Sequence, residues 1–377
     1  MSRFESRLLA EIERGDGRLD GILACLAWAA YRARIGDIES AKRVVAQERS
    51  RDSKLSEAQI FAHINYVEGL CQYFERGLDF ALKKFLRASV LAAGCPQGDC
   101  LPFLIHGWLA ALYRNQGRWK LMVDSLLAAA DQGGNGSSEV GFRVCLVAAD
   151  VLQELGVYVA SSDWYDVARR HALAIGDDAA ISAMLYNRAA IRVFNASLDE
   201  AAGLAVTVDD DHIALQASSA QNYTQYIHDE SMRWGFDLMV GQVHMLRGDY
   251  VKALSVLESS ELEVLAADWP NLDCVRQADI FRCRAQIGEL TGSPVGEGVA
   301  SVLSRIETLS APGDRVIALY SVVAGMRALQ MPSVTEIEEM LKQQHSLLRD
   351  DRRCQSEEFQ RFIRRFGSPL SISGLAS

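Results

Sequence analysis

Small residues recur about every 40 residues along this chain, and this repeat constrains the fold more than any other feature. The recurring positions are Ala29, Gly69, Ala110, Ala149, Ala189, Gly241 and Ala285, and Gly325 extends the series. The spacing departs clearly from 40 only between 189 and 241, where it is 52 residues. A fixed period between about 20 and 50 residues is the sequence signature of a solenoid. The 377-residue chain is therefore predicted to consist of stacked helix pairs.

One repeat shows why small residues are needed at these positions. Gly69 is followed by Gly77, Ala81, Phe85 and Ala88. Two helix axes approach to about 8 Å only where Gly or Ala removes side-chain bulk, and larger residues then fill the grooves one turn away. The spacing predicts two antiparallel helices that meet through Gly69 and Ala81 and are joined by a turn at Gly77.

With these residues the chain resembles the tetratricopeptide repeat family, in its long-repeat bacterial type. The best matches to the family motif are Ala29, Gly36 and Ala41; Ala110, Tyr113, Gly117, Leu126 and Ala129; and Gly241, Gly248, Ala253 and Leu257. The period here is longer than the family's usual length of about 34 residues. The resemblance implies an all-α fold, a right-handed α-solenoid of about seven to eight helix pairs.

The glycine-rich segment 133–138 divides the predicted solenoid into two parts. We expect N-terminal repeats over 1–132, C-terminal repeats over 139–377, and a hinge between them. The last repeats should end in a polar helix from Asp351 to Arg365, since solenoids need a polar cap for solubility.

Composition and charge argue against several classes of partner. A net charge of −10 provides no basic field, so direct binding of nucleic acid is not expected. The longest apolar run, 22–31, is about half of what a helix needs to cross a bilayer, so we expect no membrane insertion. The N-terminus lacks the apolar core of a signal peptide, and the eight cysteines are scattered. These features predict a cytoplasmic protein.

The sequence offers no motif for catalysis, a cofactor or a metal. Cys95 and Cys100 lie near His106, but zinc sites use closer cysteine pairs and a second pair, which is missing. Phosphate-binding loops, metalloprotease motifs and nucleophile elbows are also absent from the sequence. We therefore expect a chain that is not an enzyme and that carries no catalytic, cofactor or metal site.

The remaining prediction is binding of a protein or peptide partner. In the tetratricopeptide family the first helix of each pair lines the inner wall, so the resemblance implies partner-binding residues there. These are His63, Tyr66, Tyr73, Arg114, Asn115, Asn187 and Gln242. Tyr66 and Tyr73 fit interhelix packing equally well. The favoured function is an adaptor or regulator that binds a peptide or protein in the groove. A sensor that relays ligand binding to an effector or transcription regulator, and a structural assembly scaffold, stay open as alternatives.

Overall fold

Helices account for all the regular structure in the part of the chain that the structure describes. The structure is a computed structural model. It describes residues 2–15, 18–50, 57–96, 99–133, 137–204, 210–231, 233–259, 262, 269–290, 294–309 and 311–369. The predicted all-α fold is confirmed within these ranges. Residues 134–136 of the expected hinge lie outside them, so the division at 133–138 stays a prediction.

Seventeen helices are defined in the described ranges. The first nine are α1 (Arg3–Arg14), α2 (Leu19–Arg34), α3 (Ile38–Ser50), α4 (Glu57–Arg76), α5 (Leu78–Ala92), α6 (Leu101–Asn115), α7 (Trp119–Gly133), α8 (Ser138–Glu154) and α9 (Tyr158–Ile175). The other eight are α10 (Asp178–Ala201), α11 (Asp210–Tyr226), α12 (Arg233–Leu246), α13 (Tyr250–Leu257), α14 (Pro270–Gln286), α15 (Pro294–Ile306), α16 (Pro312–Ala328) and α17 (Val334–Phe366).

The chain forms two compact units. Unit 1 comprises the described parts of Met1–Asn187, Asn222–Met232 and Ser356–Ser377. Unit 2 comprises those of Arg188–Gln221 and Arg233–Gln355. Each unit has apolar cores of its own, with Leu26 and Ile105 in unit 1 and Val316 and Leu257 in unit 2.

Consecutive helices pack as pairs, as the repeat predicts. In unit 1, α2 packs on α3, α4 on α5, α6 on α7 and α8 on α9. Gly69 shows the need for a small residue, because a Cβ there would lie 2.9 Å from Cε2 of Phe85 on the paired helix. Gly117 ends the turn between α6 and α7 with a φ of +66°, a conformation that glycine adopts without steric cost. Stacked pairs of this kind form an α-solenoid.

The end of α17 is less polar than its sequence suggests. Phe359 and Phe362 are fully buried in the core of unit 1, and the Phe362 ring lies 5.6 Å from that of Trp164. On the solvent side, Arg361 donates to Asp124 at 2.8 Å. No helix in the described ranges has the length and apolarity required to span a bilayer.

Helix α8 is the most deeply buried element of unit 1. Every residue from Val140 to Gln153 is buried, including the charged Arg143 and Asp150. A buried charge is costly unless another group compensates for it. The surroundings of these two residues therefore define the polar centre of unit 1.

Candidate functional site

Unit 1 contains a cavity of about 330 Å³. Helices α1, α2, α4, α6 and α8 and the junction of α9 with α10 line it. Much of the wall is apolar, from Leu23 and Ala27 on α2, Leu104 on α6 and Phe142 on α8. An apolar cavity of this size with a few polar groups is typical of a ligand site.

Aromatic rings form one side of the cavity. The indole Nε1 of Trp108 donates to the Tyr66 hydroxyl at 3.1 Å. The Trp108 ring also stacks on Phe85 at 5.8 Å and meets the edge of Tyr73 at 5.6 Å. Burial raises the pKa of Tyr66 to about 12, so its hydroxyl stays neutral. These contacts fix the indole in place.

Arg143 lies over the same indole ring. Its guanidinium carbon lies 3.7 Å from the Trp108 ring centroid, a cation–π contact. Gly107 makes room for the arginine stem, because a Cβ at that position would lie 2.6 Å from Cγ of Arg143. Arg143 is 8% exposed, and its Nε has no hydrogen-bond partner. Burial lowers its pKa to about 10, which still leaves the group cationic at neutral pH.

Two other cations at the cavity are neutralised within the protein. Arg34 Nη1 lies 2.6 Å from Oδ2 of Asp177, and Arg7 Nη2 lies 3.7 Å from Oε1 of Glu139. Burial raises the pKa of Glu139 in spite of the attraction of Arg34. Asp20 and Glu11 also line the cavity. The cavity is therefore ringed by charges of both signs.

A hydrogen-bond network centred on Asp150 lies deeper in unit 1. Its Oδ2 accepts from Arg114 at 3.1 Å and from Asn187 at 2.8 Å, and its Oδ1 accepts from Tyr165 at 2.7 Å. Arg114 also donates through Nε to Glu154 at 3.0 Å. Burial raises the pKa of Asp150, whereas Arg114 opposes that rise. The network joins α6, α8, α9 and α10.

Unit 2 has a related polar cluster with little free space. Arg282 donates to both oxygens of Glu200, at 3.1 and 2.6 Å. Asp279 accepts from Ser321 at 2.6 Å and from Gln242 at 3.2 Å, and burial raises its pKa to about 6. The space beside this cluster is only about 10 Å³.

The seven predicted partner-binding residues separate into three groups. His63 and Tyr66 line the cavity. His63 shares a hydrogen bond with the Gln59 carbonyl, and burial lowers its pKa.

The second group belongs to the internal network or its margin. Arg114 and Asn187 bind Asp150, and Tyr73 shares a side-chain hydrogen bond with Asn115. Gln242 forms the third group, in the cluster of unit 2. The role of all seven in partner binding stays a prediction.

Sequence reasoning missed Arg143 and Trp108. The sequence does contain a signal for Arg143, because its charge interrupts the apolar stretch 140–149 of a predicted helix. None of the eight cysteines, which all lie in the described ranges, forms a disulfide bond. Among the described residues, no group of three or more His, Cys, Asp or Glu side chains is placed to hold a metal ion.

Comparison with known proteins supports the fold. No protein-family model matches the chain, and no curated protein matches its sequence. A crystal structure of a Rap protein complexed with Competence and Sporulation Factor is similar, with a TM-score of 0.53 and 14% sequence identity. The match covers 92% of this chain and 92% of that chain. At this identity the likeness concerns the fold alone, and the fold is an all-helical repeat structure.

Proposed function

We propose that this chain is a regulator of the tetratricopeptide type that binds a peptide, or an extended segment of a protein, in the cavity of unit 1. One observation carries the proposal: the cavity combines an apolar wall with a buried arginine, Arg143, that forms no ion pair among the described residues. Such a site suits a ligand with both apolar and polar groups. Binding rather than catalysis is the role that this arrangement supports.

The size of the cavity limits how much of a ligand it takes. A volume of about 330 Å³ corresponds to about ten water molecules. One end of a peptide therefore fits, and the rest must extend along the helices outside. The Rap protein of similar fold is complexed with Competence and Sporulation Factor, which supports ligand binding by a helical array of this kind.

A specific contact favours the sensor alternative over the scaffold. Helix α1 lines the cavity and also packs at the end of α9. Arg3 donates to the Leu173 carbonyl at 3.1 Å, and the Phe4 amide donates to the Gly176 carbonyl at 3.2 Å. A ligand in the cavity would therefore contact α1, the helix that is hydrogen-bonded to the end of α9. In the sensor alternative, α1 transmits ligand binding to an effector.

Peptide selection with a blocked cavity tests the proposal. A library of N-acetylated hexapeptides is equilibrated with the wild type, with Leu104→Trp and with Leu86→Trp, and bound peptides are identified by mass spectrometry. Leu104 lines the cavity, whereas Leu86 is 43% exposed on α5 and serves as the matched control.

We expect the wild type and Leu86→Trp to retain the same peptides and Leu104→Trp to lose them. Circular dichroism must show equal helicity in all three proteins. Peptides that bind Leu104→Trp as well as the wild type would disprove the cavity as the site. A wild type that retains no peptide at all would overturn the proposed function.

A further inference from the structure

We propose that the guanidinium of Arg143 binds a carboxylate of the peptide that enters the cavity of unit 1. This inference rests on the proposed function and names the chemical class of its ligand. The class is a peptide that presents a carboxylate, from its C-terminus or from an Asp or Glu side chain, beside an apolar residue.

Burial without a partner is the first reason. Arg143 is 92% buried, because its exposed fraction is 8%. Its Nε makes no hydrogen bond, and no carboxylate among the described residues lies within ion-pair distance of it. An arginine is almost never buried unless it is paired, and a charge removed from water without a counterion is costly. The cavity beside it leaves space for the missing partner.

Other arginines of unit 1 form ion pairs with carboxylates of the protein. Arg114 contacts two carboxylates, Asp150 and Glu154, and Arg34 contacts Asp177. Arg143 lies on the same helix as Asp150, two turns away, yet its guanidinium lies over aromatic rings, those of Trp108 at 3.7 Å and Phe142 at 5.6 Å. Arg143 differs from Arg114 in its surroundings, because the Arg143 side chain lines the cavity.

Glu139 is the internal residue best placed to compete for Arg143. It precedes Arg143 by four residues on α8, a spacing at which opposite charges usually pair. Instead, it lies 3.7 Å from Arg7 on α1. Glu139 therefore pairs with Arg7 rather than with Arg143.

The geometry suits a carboxylate in particular. The contact with Trp108 holds the guanidinium at the cavity wall, and a guanidinium offers parallel N–H groups that match the two oxygens of a carboxylate. The apolar wall from Leu104 and Phe142 lowers the local dielectric constant, which strengthens that contact. It also provides a surface for an apolar side chain next to the carboxylate.

Three synthetic peptides of one sequence test the inference. The sequence is one that the wild type retains from the hexapeptide library. It is made as a free acid without Asp or Glu, as the corresponding C-terminal amide, and as an amide with one internal Glu. Affinities are measured by isothermal titration calorimetry for the wild type, Arg143→Met and Glu139→Gln.

We expect at least one carboxylate peptide to bind the wild type 10-fold or more tightly than the plain amide, and the tighter of the two identifies the source of the carboxylate. Arg143→Met should bind acid and amide equally. Glu139→Gln should bind the acid more tightly than the wild type does, because the variant removes a negative charge that lines the cavity and repels the peptide carboxylate.

Two outcomes separate this inference from the proposed function. Equal binding of acid and amide peptides by the wild type overturns the inference but leaves peptide binding intact, and this comparison needs no variant. Discrimination that persists in Arg143→Met overturns it as well, because another group would then bind the carboxylate. Failure of every peptide to bind the wild type overturns the proposed function and the inference with it.

Discussion

Each unit contains a buried arginine that lies over an aromatic ring, and the two arginines differ in their ion pairing. Arg282 of unit 2 lies 4.9 Å from the Tyr320 ring centroid and donates to both oxygens of Glu200. Arg143 of unit 1 lies 3.7 Å from the Trp108 centroid and forms no ion pair with the carboxylates that the structure describes. The space beside Arg282 is about 10 Å³, whereas the cavity beside Arg143 is about 330 Å³.

The pKa values reflect this difference. Burial lowers the pKa of Arg282, but the hydrogen bonds and charge of Glu200 outweigh that effect and raise it. Burial lowers the pKa of Arg143 to about 10, and electrostatic interactions with groups such as Tyr66 and Asp150 oppose that shift only in part. The protein thus completes the cluster of unit 2 with its own side chain and leaves that of unit 1 incomplete. We infer that unit 2 uses its cluster for stability and unit 1 reserves its cluster for a ligand.

The largest effect should come from breaking the complete cluster. Glu200→Gln leaves Arg282 buried at 4% exposure without a counterion, and loss of one partner of a buried pair costs about 3 kcal/mol. Arg143→Met removes a charge that has no ion-pair partner among the described residues. The gain from removing a buried charge and the loss of the cation–π contact oppose each other, so the free energy of unfolding should change by less than about 1 kcal/mol. Urea denaturation followed by circular dichroism measures both.

The double variant Glu200→Gln/Arg282→Met is the control for this comparison. It removes both charges of unit 2, so much of the lost stability should return. If Arg143→Met destabilised the protein as much as Glu200→Gln does, Arg143 would be a structural residue and the contrast between the units would disappear.

A second, smaller contrast concerns the buried aspartates. Asp150 accepts from the cationic Arg114, whereas Asp279 accepts from the neutral side chains of Ser321 and Gln242. Asp150→Asn should therefore cost about 2 kcal/mol at pH 7, since hydrogen bonds to charged groups are the stronger ones. Asp279→Asn should be neutral or slightly stabilising. If the two variants lost the same free energy of unfolding in urea denaturation, the two networks would contribute equally to stability.

The repeat in the sequence was sufficient to predict the helix pairs. Gly69 against Phe85 and Gly241 against Leu257 meet as the small-residue spacing requires. These contacts are local, within one pair, so their residues lie close in the sequence. A repeat therefore predicts them without knowledge of the rest of the fold.

The site was harder to predict because it depends on contacts between pairs. Arg114 carries a charge on a predicted inner wall, yet Asp150, 36 residues away, binds it. Arg143 appeared to be part of an apolar helix, and its importance comes from Trp108 and Gly107 on another helix. Periodicity shows which residues face inward, but it does not show which inward charges find partners.

A third test converts unit 1 to the pattern of unit 2. Leu104 precedes Trp108 by one turn on α6 and lines the cavity. Leu104→Glu should supply Arg143 with an internal carboxylate, as Glu200 does for Arg282. We expect affinity for a carboxylate peptide to fall about 10-fold, which is about 1.4 kcal/mol. Leu104→Gln, of the same shape without charge, should keep the preference for acid over amide, and the idea fails if both variants lose it equally.

The smallest effect is a pH dependence specific to unit 2. The pKa of Asp279 is about 6 in the folded protein, against an ordinary value of 3.8. In the pH range between these two pKa values, the folded protein binds more protons than the unfolded chain. The contribution of Asp279 to stability therefore falls as the pH rises. The Asp279→Asn variant lacks this titrating group, so it does not lose that contribution to stability as the pH rises. From pH 5 to pH 7 its free energy of unfolding should rise relative to the wild type by about 1 kcal/mol in urea denaturation, and a constant difference would show that Asp279 titrates normally.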